Sequence, residues 1–441
     1  MLTYARSLCQ NQIDMKITVH RGSRQIGGCI TEIESASGTR IIIDLGHNLP
    51  GVSDTDSLDD EQKLQALLEG VSAVIYTHNH GDHIGFYGQV PESIPQYIGA
   101  MAREVLRTQL LHRRIPRKNP NYYKVFHRQL DALDRMKTYR VAQEFTVGDI
   151  SVTPFLVNHS AADSYMLLIK CDGKVVLHTG DFRDHGFTGK GLFPTLEKYI
   201  VPEKVDVLVI EGTMLSRPDE ERIREYDVQK ELETIMREHR YVFLLCSTTN
   251  FDRIVAAHNA HEATNHGVFC CDMYELDQLK TLAEYSGKYH PMFNITDAEE
   301  MTLRDKNLID RMCKDGFTML IRANTRYKVW MDMLTRINPL EETVLVYSQY
   351  PGYIDLEDPA YNQNLDEFLK EQRCQIVHCH TSGHAYADTL AKVCETVNPT
   401  TGIIPIHKDT DCNIQAILSR DVRNKVLEKD KCMNNIIFTI N

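Results

Sequence analysis

At 441 residues, with 42% hydrophobic and 25% charged side chains, the chain has ordinary globular composition and the length for two domains, or one domain with a large insertion. A formal charge of -12 excludes a surface coated in basic groups, and with it strong non-specific binding to nucleic acid or anionic membrane; only a local basic groove remains open. No apolar run approaches the roughly 20 residues that span a bilayer, and the first residues carry no apolar signal-peptide core, so a soluble, cytoplasmic protein is expected.

Residues 1–14 precede a second methionine, Met15, and read as an N-terminal extension without functional weight. From Met15 onward short β-rich runs recur: KITVH, GCITEIES, TRIIIDLG, AVIYT, ISVTPFLVN, SYMLLIKC, KVVLHTGD and VDVLVIEGT. Gly, Asn or Asp follows many of them and ends the strand. Helical periodicity lies between some, at 59–70 and 103–114. The stretch 110–129 sets Arg113, Arg114, Arg117, Lys118 and Lys124 among Tyr122, Tyr123 and Phe126, and reads equally as a basic groove or as a solvated helix face. From 211 to about 375, amphipathic helices at 218–240 and 274–287 alternate with YVFLLCS, GVFCCD, TMLIRAN and TVLVYSQ, the pattern of βαβ units and a mostly parallel sheet. QIVHCH, a helix around ADTLAKVCETV, and GIIPIH then read as the first domain resuming. The expected organisation is therefore a first domain over 15–210, an inserted cap over 211–375, and the first domain again over 376–441. Twelve cysteines without a CxxC pair fit reduced thiols in a cytosolic protein.

The densest chemistry is in THNHGDHIGFYG at 77–88, which holds His78, His80, Asp82 and His83. Imidazole nitrogen and carboxylate oxygen are the ligands of Zn²⁺ and similar ions. His78 and His80, two apart on an extended segment, project to one side; Asp82 and His83 follow a glycine turn. His159 closes ISVTPFLVNHS, Asp181 closes KVVLHTGD and His407 closes GIIPIH. Each alone reads as a structural residue. Together they supply a binuclear site, with His78, His80 and His159 on one ion, Asp82, His83 and His407 on the other, and Asp181 bridging.

These motifs resemble the metallo-β-lactamase superfamily. HNHGDH matches its HxHxDH signature, and Asp44, His159, Asp181 and His407 fall in the order of its other motifs. The insertion is similar to that of the β-CASP nuclease branch, which includes ribonuclease J: Glu211 in VLVIEGTM matches the acidic residue leading into the cap, and His384 matches the histidine of an SGHA-like motif. Weaker echoes lie at HTGDFRD, STTNFDRI and SQYPGYI. The resemblance implies an αββα sandwich with an inserted α/β cap, and two divalent ions, Zn²⁺ first with Mn²⁺ or Mg²⁺ as the other candidates. It implies hydrolysis of single-stranded RNA, because members acting on RNA carry histidine at the place of His407, and a homodimer or an RNA-processing protein as partner. Asp82 would orient the attacking water, His384 would be the general acid held by Glu211, and Asp44 would accept a hydrogen bond from a ligating imidazole. Ser382, Gly383, Ser247, Asn250 and Arg253 would contact phosphate or sugar. Two departures stand out: Lys408 replaces the glycine common in ribonuclease J-like chains, and the chain ends soon afterwards, without the C-terminal domain through which many of those proteins associate. The competing readings are a hydrolase of DNA or of a small phosphodiester or ester on the same fold, and a non-catalytic RNA-processing partner.

Overall fold

A strand covered on both faces reads as an unbroken apolar run. Ser164–Cys171 (SYMLLIKC) is of this kind: Leu167 and Ile169 enter one apolar cluster, Met166 and Leu168 another. Arg40–Ile43 divides likewise, with Ile41 and Ile43 on one side and Ile42 on the other. The computed structural model describes residues 15–52, 58, 60–113, 120–287, 289–427 and 436–440; the 1–14 extension and the basic residues Arg114, Arg117 and Lys118 lie outside them.

Two sheets face each other across the first of these clusters. One has the order Ile436–Ile440, Met15–Arg21, Ile30–Glu34, Arg40–Ile43, Ala73–Ile75, Gln96–Gly99, Lys137–Tyr139, antiparallel as far as Arg40–Ile43 and parallel beyond. The other runs Gly402–Ile406, Val207–Glu211, Lys174–His178, Ser164–Cys171, Ile150–Val157, Phe145–Val147, with its first three strands parallel. Ile17, Ile43 and Ile75 of one sheet pack on Val152, Leu167, Val209 and Ile404 of the other. Helices cover the outer faces, Glu61–Leu68 and Ala100–Leu111 on the first sheet and Ala387–Val397 on the second. This is the expected αββα sandwich.

The inserted segment carries a third, wholly parallel sheet in the order Glu299–Glu300, Val268–Cys271, Phe317–Ile321, Tyr241–Leu245, Thr343–Tyr347, Gln375–His378. Its last strand is QIVHCH, expected above in the resumed first domain; pairing of Val344 with Gln375 through Tyr347 with His378 puts it at the edge of the cap sheet instead. The expected helix at 218–240 is also shorter. It runs over Glu225–Glu238, because Arg222 is held extended by both oxygens of Asp184, and Ile223 N–H donates to the Tyr386 hydroxyl. Tertiary contacts override a helical sequence there.

Buried charges join cap and sandwich. Arg183, just past Asp181, is fully buried and donates to Asn158 Oδ1 at 2.8 Å, to Asp252 Oδ2 of cap helix Phe251–Thr264 at 2.9 Å, and to the Ser382 carbonyl at 2.9 Å. Glu225 lies between Arg183 and the equally buried Arg253. Removing one member of a buried ionic set leaves the others uncompensated, at a cost of about 3–5 kcal/mol. Glu225→Ala is therefore expected to lower the unfolding free energy by about that much in urea denaturation; a loss below about 1 kcal/mol would contradict the role given to this network.

Candidate metal centre and cleft

Each metal-ligand candidate leaves the end of a strand. Ala73–Ile75 runs into His78 and His80, and the short helix Gly81–Ile84 presents Asp82 and His83. His159 follows Ile150–Val157, Asp181 follows Lys174–His178, and His407 follows Gly402–Ile406. Because both sheets end at the same rim, side chains more than 300 residues apart meet there. His83 Nε2 is 3.1 Å from Asp181 Oδ2, His407 Nε2 is 3.5 Å from the same oxygen and 3.1 Å from Asp82 Oδ2, and His159 Nε2 is 3.8 Å from Asp181. His78, His80 and His159 form one group of donor atoms within 4.8 Å of one another, and His78, His83 and Asp181 form a second.

The outer partners decide which ring nitrogen faces inward. Asp44 accepts from His83 Nδ1 at 2.8 Å and from the Thr77 hydroxyl at 2.8 Å, and that hydroxyl in turn meets His78 Nδ1 at 3.0 Å. His159 Nδ1 donates to the Gly383 carbonyl at 2.7 Å, and His407 Nδ1 lies 2.7 Å from the Thr213 hydroxyl. With Nδ1 engaged on all four rings, Nε2 is the nitrogen each turns toward the centre. His78 Nε2 and His83 Nε2 are buried without a hydrogen-bond partner, and His80 Nδ1 and His159 Nε2 stand 3.2 Å apart, nitrogen to nitrogen.

Electrostatics agree with a cation there. Burial, reinforced by neighbouring imidazoles, holds His78 and His159 neutral well below the usual histidine range, and burial takes His80 down to about 4. Burial works against charge on Asp181, yet His407, His83 and His384 outweigh it and keep the carboxylate ionised. His83 is also disfavoured by burial, but the carboxylates of Asp181, Asp44 and Asp82 raise its proton affinity well above the ordinary value. Neutral His78, His80 and His159 with the ionised Asp181 and Asp82 carboxylates are the donors a divalent ion takes, and an ion bound there would displace the proton that the carboxylates favour on His83.

Beside this cluster, His384 Nδ1 is 3.0 Å from Glu211 Oε2 and 3.7 Å from Asp181 Oδ2. Glu211 is fully buried and also accepts the Phe182 N–H at 3.0 Å. Burial opposes a charge on His384; Glu211 and Asp181 overcome it and raise the imidazole above its usual value. The Thr213 hydroxyl is 3.1 Å from the same nitrogen, so one side chain touches both His384 and His407. Neither Thr77 nor Thr213 was singled out in the sequence, although each is within two residues of a residue that was.

His80, Asp82, His384 and His407 open onto a cleft of about 2170 Å³ between sandwich and cap, whose walls also include Ser247, Asn250, Ser382 and Gly383. One of the expected substrate contacts is corrected. Arg253 is fully buried, bound to Glu225 and to the Ser348 carbonyl, and presents nothing to the cleft. Asn250 lines the cleft while its side-chain oxygen serves as the N-cap of Phe251–Thr264, accepting the Arg253 N–H. Ser247 is exposed on the wall. The Ser382 hydroxyl turns inward, accepting the His384 N–H at 3.1 Å, and a Cβ on Gly383 would meet Ser160 Oγ at 2.4 Å, so only glycine fits. Lys408 is buried and caps its own loop, donating to the Cys412 carbonyl at 2.8 Å. Of the basic stretch, Lys124 lines a separate shallow surface pocket beside Tyr123 and Arg128 rather than the cleft.

A family model described as "Beta-lactamase superfamily domain" matches residues 39–240, which hold the HNHGDH stretch, His159, Asp181 and Glu211. A second, "Zn-dependent metallo-hydrolase RNA specificity domain", matches 371–411, which hold His384 and His407. Together the two matches support a metallo-β-lactamase-superfamily protein of the β-CASP branch that resembles ribonuclease J. Ribonuclease J of Helicobacter pylori strain J99 is 22% identical over 418 residues, 90% of this chain and 56% of that protein. Ribonuclease J of Mycobacterium tuberculosis strain H37Rv is 23% identical over 419 residues, 89% of this chain and 68% of that protein. This chain thus spans little more than half the length of the Helicobacter relative. A crystal structure of a protein of unknown function from Enterococcus faecalis V583 superposes with TM-score 0.68 at 19% identity, covering 96% of this chain and 100% of that one, a likeness of fold. Among the described residues no helix is long and apolar enough to cross a membrane.

Asp44 orients His83 and, through Thr77, His78. Asp44→Asn keeps the side-chain shape and the left-handed backbone (φ 59°) that aspartate and asparagine tolerate, but removes the charge. It is expected to weaken metal binding about 10- to 100-fold in competition with a chelator; unchanged affinity would show that the orienting carboxylate is dispensable.

Proposed function

We propose that the chain hydrolyses phosphodiester bonds of single-stranded RNA, as an exo- or endonuclease of the ribonuclease J kind, with two divalent ions, Zn²⁺ foremost. The observation that carries this reading is the His384–Glu211 pair, 3.0 Å apart at the rim of the metal cluster and facing a cleft roofed by the cap. Metallo-hydrolase chemistry needs only the cluster; an acid group set beside it under a cap suits a strand whose 3′ oxygen must leave. The match of 371–411, which contains His384 and His407, to an RNA-specificity family model supports RNA over DNA.

In this reading His78, His80 and His159 would hold one ion and Asp82, His83 and His407 the other, with the Asp181 carboxylate available to both. Such ions supply a water of lowered pKa and neutralise charge on the phosphate. Asp82 would orient that water: it is the most exposed of the carboxylates at the centre, its side chain 12% accessible against 3% for Asp181 and none for Glu211. His384 keeps Nδ1 against Glu211 and offers a proton from Nε2 to the leaving oxygen. The Ser247 hydroxyl on the cap side and the Gly383 backbone on the sandwich side line the path of the strand, and a cleft walled on both sides admits unstacked single strands.

Labelled single-stranded RNA and DNA of matched sequence, with Zn²⁺ or Mn²⁺, test this directly. RNA cleavage to 5′-phosphate products is expected, with kcat about 10²- to 10⁴-fold lower in His384→Ala at unchanged metal content. No cleavage of either polymer by metal-loaded protein would remove the reading. The acid role also fixes the sign of a pH effect. His384 must be protonated to act, so activity falls as pH rises through its pKa. Glu211→Gln removes the carboxylate that raises that pKa and is expected to move the alkaline limb of the rate profile to lower pH; a limb that stays in place would assign the proton to another group.

A further inference from the structure

We infer that Cys29 is a sulfur donor of the metal centre, on the side of Asp82, His83 and His407, and that this makes one of the two ion positions select a thiophilic metal. The inference rests on the two-ion reading above. Eight described cysteines are buried, and seven of them are members of the five apolar clusters; Cys29 belongs to none. Its surroundings are those of the centre instead: its sulfur, a ring nitrogen of His83 and a ring nitrogen of His407 lie within 4.8 Å of one another. Bond lengths of about 2.3 Å to sulfur and about 2.1 Å to nitrogen put two donors on one ion no more than about 4.4 Å apart, so small side-chain rotations suffice.

The position is built rather than incidental. Gly27 and Gly28 turn the chain with φ of 78° and 63° just before strand Ile30–Glu34, delivering Cys29 to the rim. Its N–H donates to the Asp82 carbonyl at 2.9 Å, and its carbonyl accepts from Gly46 N–H at 3.2 Å, tying it to both loops that carry the His83 and Asp44 side chains. The sulfur rests against bare backbone at Gly22, where a Cβ would stand 3.1 Å from it. His83 Nε2 nearby is buried and without a hydrogen-bond partner. Thiolate is soft and favours Zn²⁺ over Mn²⁺ or Mg²⁺, so a centre of imidazole, carboxylate and one sulfur is chemically asymmetric, with the thiol proton passing to solvent as the metal–sulfur bond forms.

Chelator-stripped full-length protein titrated with Co²⁺ separates the two claims, because visible ligand-field bands report any bound ion and a near-ultraviolet charge-transfer band reports sulfur. Wild type is expected to show both. Cys29→Ser and Cys29→Ala should keep the visible bands and lose the near-ultraviolet one, whereas Cys246→Ser, from the cleft wall, should keep both. Visible bands without a charge-transfer band in the wild type, or an equal band in the Cys29 variants, would overturn the sulfur assignment and leave the metal reading standing. Absence of every cobalt band would overturn the metal reading, and this inference with it.

Discussion

His80 Nδ1 and His159 Nε2 face each other across 3.2 Å, and His78 Nε2 and His83 Nε2 are buried close by without a partner. Ring nitrogens crowded together out of water are costly unless a proton or a metal cation is shared among them. Much of the structure serves to hold this arrangement. Asp44, Thr77, Thr213 and the Gly383 carbonyl occupy the outward nitrogens of four rings, and once those are fixed the rings cannot turn their inward nitrogens away. The same partners fix the ring orientations, so a deletion among them is expected to act on metal affinity first.

Holding donors from so many chain segments together depends on the two sheets ending at a common rim. Asp44 and His407, each one residue past a strand, both adopt left-handed backbone, with φ of 59° and 51°. Such conformations cost about 1–3 kcal/mol each in a non-glycine residue and persist where surrounding contacts over-determine them. The cap adds its own constraint. Arg183 reaches from the Asp181 loop into the cap and also holds the Ser382 carbonyl, so the loop carrying His384 is positioned by the same buried ions that dock the two parts. Cleft, His384–Glu211 pair and histidine cluster are in this sense one construction.

What could be read from the sequence follows the range of the interactions. His78, His80, Asp82 and His83 were legible because four donors in six residues have few other uses, and His159, Asp181 and His407 because each ends an apolar run. The sandwich was legible for the same reason, its strands being covered on both faces. Thr213 and Arg183 were not, since a threonine or an arginine acquires its role only from what the fold brings against it. Arg253 illustrates the converse error: a cation at a helix start suits a phosphate contact as well as a buried partner for Glu225, and only packing distinguishes them. QIVHCH was placed in the resumed domain because parallel edge pairing leaves no local mark, and Gln96–Gly99 and Lys137–Tyr139 are too short to carry a periodic signal.

The most direct test of the central claim is anomalous diffraction from crystals grown with Zn²⁺, recorded on both sides of the zinc edge. The account predicts two peaks about 3.5–4 Å apart, one against His78, His80 and His159 and the other against Asp82, His83 and His407, with Asp181 between them. A single peak, or peaks away from the strand-end rim, would contradict it.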